Sequence, residues 1–236
     1  MKYSWTIVLG VALAPALPAL AILPPQDGNL FVTEEYSGNV FEHNGVTGAY
    51  YQTYAVVPPA VGLMAIHTGG TLGNVLVGST IGGVREYDRT TGAFVKTYNA
   101  GGGWQWAGVW KANGNVLIGD WATNDVREYD SVTGNFLSVF APGVAGPADM
   151  LFGPSGNLYV CDYLGGGVRE FDGVTGAPIN SWAPGVIRPN DIVFMPDGRR
   201  IVTSMSDNLA HVFDSSWTQI ATFGGTGWAR PHGIDI

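Results

Sequence analysis

One cysteine, Cys161, is the only thiol in this 236-residue chain. No internal disulfide is available, so stability has to come from packing. Charge is scarce too: Asp, Glu, Lys and Arg make up 13% of the residues. Eleven Lys and Arg face nineteen Asp and Glu, for a formal net charge of −8. The basic residues form no cluster, and the footprint that phosphates require is missing. This argues against nucleic acids and anionic membrane surfaces as partners. No apolar run reaches the ~20 residues that a spanning helix needs. The sequence also lacks a G-x-S-x-G elbow, an H-E-x-x-H pair, a phosphate loop and zinc-ligand spacing.

Glycine and apolar residues are plentiful. There are 35 glycines, and 46% of the chain is hydrophobic. That is too apolar for disorder, and it suits many short strands joined by tight turns. Residues 1–21 read as a signal peptide. Lys2 supplies the positive end, Trp5 to Ala14 a short apolar stretch, and Ala19-Leu20-Ala21 the small-x-small cleavage pattern. Pro15 and Pro18 argue against a membrane helix there. The expectation is an exported protein, secreted or periplasmic, with one domain over residues 22–236.

A repeat organises that domain. V-R-E-Y-D or its variants close at Asp88, Asp130, Asp172 and Asp214, a spacing of 42 residues each time. An earlier copy ends at Asn44. The phrase G-N followed by an apolar run begins at Gly28, Gly73, Gly114 and Gly156, with a divergent copy at Gly198. Thr-Gly recurs at Thr47, Thr91, Thr133 and Thr175. A Pro-led phrase begins at Pro147, Pro189 and Pro231, with divergent copies over Pro59–Ile66 and Gln105–Trp110. Each unit thus holds four short apolar runs, predicted as strands A (after Pro), B (after G-N), C (V-R-E-Y-D) and D (after T-G). The D-x-x-T-G link predicts a hairpin. Its Asp or Asn accepts backbone N–H groups, and its Gly takes positive φ.

Four antiparallel strands repeating at this period are the mark of a β-propeller blade. The fold expected is all-β: a propeller of five blades of four antiparallel strands, with the C-terminal strand Pro231–Ile236 closing the first blade. A piece of a six- or seven-bladed propeller is the alternative. Adjacent Arg and Glu in V-R-E-Y-D point to opposite faces, which predicts an Arg-to-Glu ladder between blades. Cys161 aligns with Gly119 and Thr203 and is expected to be a packed small residue.

The Pro147–Asp172 unit resembles the NHL-type repeat of secreted bacterial propellers, and the resemblance runs through the whole mature chain. It implies a propeller fold and a relationship to ligand-binding scaffolds, lyases and the gluconolactonase/regucalcin lactonases. In those lactonases a Glu, an Asn and an Asp hold a divalent metal at the channel mouth. Pro189-Asn190-Asp191 looks like their Asn-bearing loop, whereas Pro231-His232-Gly233 stands where their Asp-Gly loop would be.

In a propeller the A strands line the central channel. The repeat therefore places Trp106, Ala148, Asn190 and His232 around its mouth, followed by Ala107, Asp149, Asp191 and Gly233. The matching pair in the divergent unit is expected at Val61 and Gly62. Residues that break the repeat near the axis are the better candidates for function. The expected ligand-binding residues are Trp106, Asp149, Asn190, Asp191 and His232. Asp149, Asn190 and Asp191 form a candidate metal set. Glu34, Glu35, Asp120, Asp162 and Asp207 add carboxylates to the same face, which would favour Ca²⁺ or another divalent cation. Asp120 and Asp162 equally suit turn capping. Trp104, Trp106 and Trp121 lie where an indole can stack on a sugar, whereas Trp182 and Trp110 suit packing. The leading expectation is a monomeric, non-catalytic scaffold that binds a small molecule, glycan or protein at the mouth. A metal-dependent hydrolase or lyase and a structural envelope protein are the alternatives.

Overall fold

The structure, a computed structural model, describes residues 30–33, 39–44, 47–56, 63–69, 73–80, 82–98, 104–224 and 231. Among them are nineteen strands and no helix. The strands form five antiparallel sheets in chain order. The first holds β1 (Leu30–Thr33), β2 (Asn39–His43) and β3 (Tyr50–Val56). The second holds β4 (Leu63–Gly69), β5 (Asn74–Ser79), β6 (Val84–Tyr87) and β7 (Phe94–Tyr98). The third holds β8 (Gly108–Trp110), β9 (Val116–Asp120), β10 (Asp125–Tyr129) and β11 (Phe136–Pro142). The fourth holds β12 (Pro147–Phe152), β13 (Leu158–Asp162), β14 (Val168–Phe171) and β15 (Pro178–Trp182). The fifth holds β16 (Pro189–Phe194), β17 (Arg200–Ser204), β18 (Leu209–Phe213) and β19 (Gln219–Gly224). Each four-stranded sheet is therefore one A-B-C-D unit of the repeat.

Sheets follow one another through their inner strands. β4 packs on β1, β8 on β4 and β5, β12 on β8 and β9, and β16 on β12 and β13. This arrangement is propeller-like. The expected signal peptide, Glu34, Glu35, His232 and the expected closing strand lie outside the described residues, apart from Pro231.

The core lies between sheets. Leu76, Val84 and Tyr98 of the second sheet pack with Val116, Ile118 and Tyr129 of the third. Leu117, Val126 and Phe140 meet Met150, Leu158 and Phe171 of the fourth. Tyr159, Cys161 and Val168 meet Ile192, Val202 and Phe213 of the fifth. Each side chain of this size contributes about 2 kcal/mol when buried. The fifth sheet also buries Val193, Ile201, Ala210 and Val212 among its own strands.

The hairpins form as the sequence predicts. Asp88 Oδ1 accepts the Thr91 N–H and the Thr91 hydroxyl, each at 2.7 Å. Asp130 and Asp172 do the same for Thr133 and Thr175, and Asn44 for Thr47. Gly176 closes one hairpin at φ +74°. A Cβ on it would lie 1.9 Å from the Phe140 carbonyl of the neighbouring sheet. Only glycine satisfies both demands there.

Among the described residues, the expected Arg–Glu ladder between blades does not form. The glutamates bond within their own sheets, to the Asn of G-N. Asn74 reaches Glu86 at 2.6 Å, Asn115 reaches Glu128 at 2.6 Å, and Asn157 reaches Glu170 at 2.8 Å. Tyr98 and Trp182 from the outer strands complete the cages of Glu86 and Glu170. Arg127 pairs within its own sheet with Asp125 at 3.0 Å and more loosely with Asp120 at 3.7 Å. A buried carboxylate needs several donors, and the start of the B strand supplies one two residues from every turn.

Candidate ligand site

At one end of the inner strands, aromatic rings gather. Trp104 and Trp106 precede β8, Trp121 follows β9, and Tyr163 follows β13. Trp104 stacks on Trp106 at 5.9 Å between centroids with 11° between planes. Trp121 lies 4.2 Å from Trp106 and 5.5 Å from Trp104. Tyr163 lies 5.5 Å from Trp106 and 5.2 Å from Trp121. The Arg188 guanidinium sits 5.9 Å over the Tyr163 ring. Trp106 and Tyr163 are buried, while Trp104 is 50% exposed. Leu164 and Ile187 are also exposed on the loops that carry Tyr163 and Arg188.

Local sequence explains this gathering. β9 and β13 end on Asp120 and Asp162, each of which folds the next turn. Asp120 Oδ1 accepts the Ala122 N–H at 2.8 Å, and Asp162 Oδ1 accepts the Gly165 N–H at 2.9 Å. Burial pushes both carboxyls above their ordinary range. These turns aim Trp121 and Tyr163 at the A strands. The Trp121 N–H of the indole donates to the Pro147 carbonyl at 2.7 Å, tying the third sheet to the fourth. Asp120 and Asp162 thus act as turn caps.

The other expected residues are placed as follows. Asp149 and Asn190 are buried, and Asp191 is half-buried. The Asp191 carboxylate accepts the Ile192 N–H at 2.7 Å, and its own N–H donates to Thr203 Oγ1 at 3.1 Å. Asp149 and Asp191 both lie near buried Cys161. Burial, then these two carboxylates, hold that thiol well above its ordinary value. Trp106 stands within the aromatic cluster, in ring contact with Trp104, Trp121 and Tyr163. Asp207 faces His211 instead, at 3.0 Å. Among the described residues, no group of three or more His, Cys, Asp and Glu side chains could hold a metal ion.

Strand pairing also corrects one alignment. Leu63 faces Ser79 as Pro147 faces Asp162 and Pro189 faces Ser204. The counterparts of Ala148 and Asp149 are therefore Met64 and Ala65, not Val61 and Gly62. The divergent unit lacks the Pro that marks the strand start elsewhere, and Pro59 misplaces it. Tyr163 and Arg188 are additions to the site. Both were reachable from the period, because Tyr163 aligns with Trp121, and Arg188 with Trp104 and Gly146.

Two polar groups stand out beside the rings. Gln105 occupies the place of Pro147 and Pro189. Its backbone exchanges two hydrogen bonds with Ser79 of the second sheet, at 2.9 and 3.2 Å. Both ends of its buried side-chain amide, and the buried Trp106 indole N–H, have no hydrogen-bond partner among the described residues.

Solved structures share this fold. A protein of unknown function from Bacteroides caccae matches with a TM-score of 0.70 at 13% identity, over 86% of this chain and 80% of that one. Virginiamycin B lyase from Staphylococcus aureus, in a catalytically inactive form with quinupristin, matches with a TM-score of 0.65 at 14% identity. That match covers 88% of this chain and 71% of the lyase. The computationally designed Ika8 protein matches with a TM-score of 0.58 at 14% identity, over 85% of this chain and 60% of the design. No family model and no curated protein matches the sequence. At such identities the likeness is one of fold, and that fold is β-propeller-like.

Proposed function

We propose that the chain is a propeller-type binding scaffold whose ligand, a ring-bearing small molecule or glycan, seats on the aromatic cluster at the channel mouth. The observation that carries this reading is the set of four packed rings, Trp104, Trp106, Trp121 and Tyr163, with Trp104 half open to solvent. Large aromatics gathered on an exposed rim offer apolar area with fixed geometry, at little cost in side-chain entropy. The unpartnered Trp106 N–H adds a donor that a ligand oxygen can use.

The proposal includes closure and export. Every later sheet has an inner A strand, whereas β1, a B strand, is the innermost described strand of the first sheet. Residues 231–236 have the sequence of an A strand and would supply its partner, making five blades. Cleavage after Ala21 would release the propeller from the cell interior. A catalytic reading would draw on Asp149, Asn190 and Asp191 and on His232, which lies outside the described residues. The aromatic rim favours binding.

Saturation-transfer NMR against aromatic fragments and oligosaccharides tests the seat. The expected result is a set of ring-bearing hits that disappear in Trp104→Ala, with the melting temperature within about 2 °C of the parent, as suits an exposed position. Hits that persist in Trp104→Ala would place the ligand elsewhere and overturn the reading.

A further inference from the structure

Arg188 is at odds with its backbone. It occupies the place that Gly146 holds in the preceding sheet, and the two carbonyls do the same work. Gly146 accepts the Tyr163 N–H at 3.2 Å, and Arg188 accepts the Met205 N–H at 3.1 Å. Gly146 has φ +66° and Arg188 φ +52°. Glycine adopts that region freely, whereas an L side chain there is crowded against its own backbone. Arginine at this place is therefore not explained by the turn. Strain kept against an available remedy points to a use for the side chain.

Ion pairing within the protein is not that use. Acidic residues outnumber basic ones in this chain, yet no carboxylate among the described residues lies within ion-pair distance of Arg188. The guanidinium stands exposed over the Tyr163 ring, at the edge of the aromatic cluster. A planar fork with free N–H groups matches a carboxylate in a bidentate manner. The rings beside it match the apolar face of a sugar. The buried, unpartnered Trp106 N–H suits a ring that carries hydroxyl acceptors rather than a bare aromatic acid.

Resting on the binding reading above, we propose that the mouth recognises an acidic sugar: a hexuronate ring packs on the exposed aromatic edge, and its carboxylate docks on Arg188. Charge selection would then come from one residue in the fifth sheet and ring recognition from the third and fourth.

Isothermal titration calorimetry of the full chain tests this with trisaccharides of galacturonate, glucuronate and mannuronate, each beside its methyl ester. The ester keeps the ring and removes the charge. At least one acid should bind about tenfold or more tighter than its ester, the increment of a charge-assisted hydrogen bond. Arg188→Gly should bring acid and ester to within about twofold, while the melting temperature stays level or rises because the strain is relieved. Arg188→Gln should lose the same preference without touching the backbone preference. Equal affinity for acid and ester in the unaltered chain overturns the acidic-sugar inference and leaves the aromatic seat standing. Failure of every acid and ester to bind overturns the inference. If, in addition, no ring-bearing ligand responds to Trp104→Ala, the binding reading falls with it.

Discussion

Glu170 lets the blade's internal wiring be weighed. It is 6% exposed, and its two oxygens divide the work. Oε1 accepts Asn157 Nδ2 at 2.8 Å and the Tyr159 hydroxyl at 2.7 Å, while Oε2 accepts the Trp182 indole N–H at 2.6 Å. These donors come from the start of β13 and the end of β15, so one side chain clamps three strands. Glu170→Val removes the acceptor and strands one buried and two partly buried donors. A hydrogen bond to a charged group has a net worth of about 1.5–3 kcal/mol. The carboxylate's own desolvation cancels part of that sum, leaving a loss of about 3–5 kcal/mol. For a domain of this size that is about 10 °C in melting temperature. Glu170→Gln keeps Oε1 for Asn157 and Tyr159 but turns an amide N–H toward Trp182, so its loss should be smaller, about 1–2 kcal/mol. Differential scanning calorimetry of both variants provides the check. The fifth sheet supplies a natural comparison, because Val212 stands there in place of Glu170 and Arg199 in place of Asn157: the two partners disappear together. Accordingly, Asn157→Leu with Glu170→Val should cost less than the two single changes added. A midpoint shift under about 2 °C in Glu170→Val, or equal losses in Val and Gln variants, would refute the clamp.

Other consequences can be measured alongside it. Burial raises the Glu128 and Glu170 carboxyls, but the donors around each outweigh it and leave both below their ordinary value. The folded chain should therefore hold their contribution above the ordinary glutamate range and lose it as pH falls through the lowered folded-state values. Glu170→Gln should flatten that acid limb in urea titrations, and an unchanged limb counts against it. Asp120 and Asp162, raised by burial, run the other way: their contribution is greatest in acid and declines as pH rises through their folded-state values. Gly176→Ala should destabilise by more than the ~1–2 kcal/mol of its positive φ alone, because its Cβ would meet the Phe140 carbonyl, whereas Gly143→Ala, with φ +78° and open space, should show only the conformational part. Equal losses at the two sites would deny the tight hairpin-to-sheet contact. Cys161, fully buried with its thiol pushed up, should react with a thiol reagent only at the unfolding rate; fast labelling of the folded chain would show that the inner strands are open.

Much of the fold was legible because the blade repeats the same local chemistry. Each Asp-x-x-Thr-Gly predicted a hairpin, and the Asp oxygens accept the predicted N–H groups at Asp88, Asp130 and Asp172. The partners of Arg and Glu were less legible. Alternation along a strand tells which face a residue takes, but not whether a donor on the neighbouring strand reaches it first. Tyr159 lies across from Glu170 once B and C pair, and the Asn of G-N, two residues before it on the same face, reaches the glutamate before any Arg does. The start of β4 was misread because Pro59 imitates a signal that β4 lacks. At the expected mouth, Trp106, Asp149, Asn190 and Asp191 were singled out as candidates by stepping along the repeat. Tyr163 and Arg188 were not, since their importance arises from three sheets meeting.

That meeting gives the site its character. Trp104, Trp106 and Trp121 belong to the third sheet, Tyr163 to the fourth and Arg188 to the fifth, so no single sheet contains the cluster. Between sheets the chain uses apolar packing and a few fixed hydrogen bonds, such as Trp121 to the Pro147 carbonyl. The repeat holds the outer hairpins nearly constant while the inner ends vary: Trp104, Gly146, Arg188 at one place, and Trp121, Tyr163, Met205 at another. Constant residues hold the hairpins of each sheet, and variable ones stand at the inner ends. Under the proposed binding reading, a substitution at the mouth would change what is bound without disturbing the blade, whereas a change at Glu170 or Gly176 would alter the platform on which every mouth residue stands.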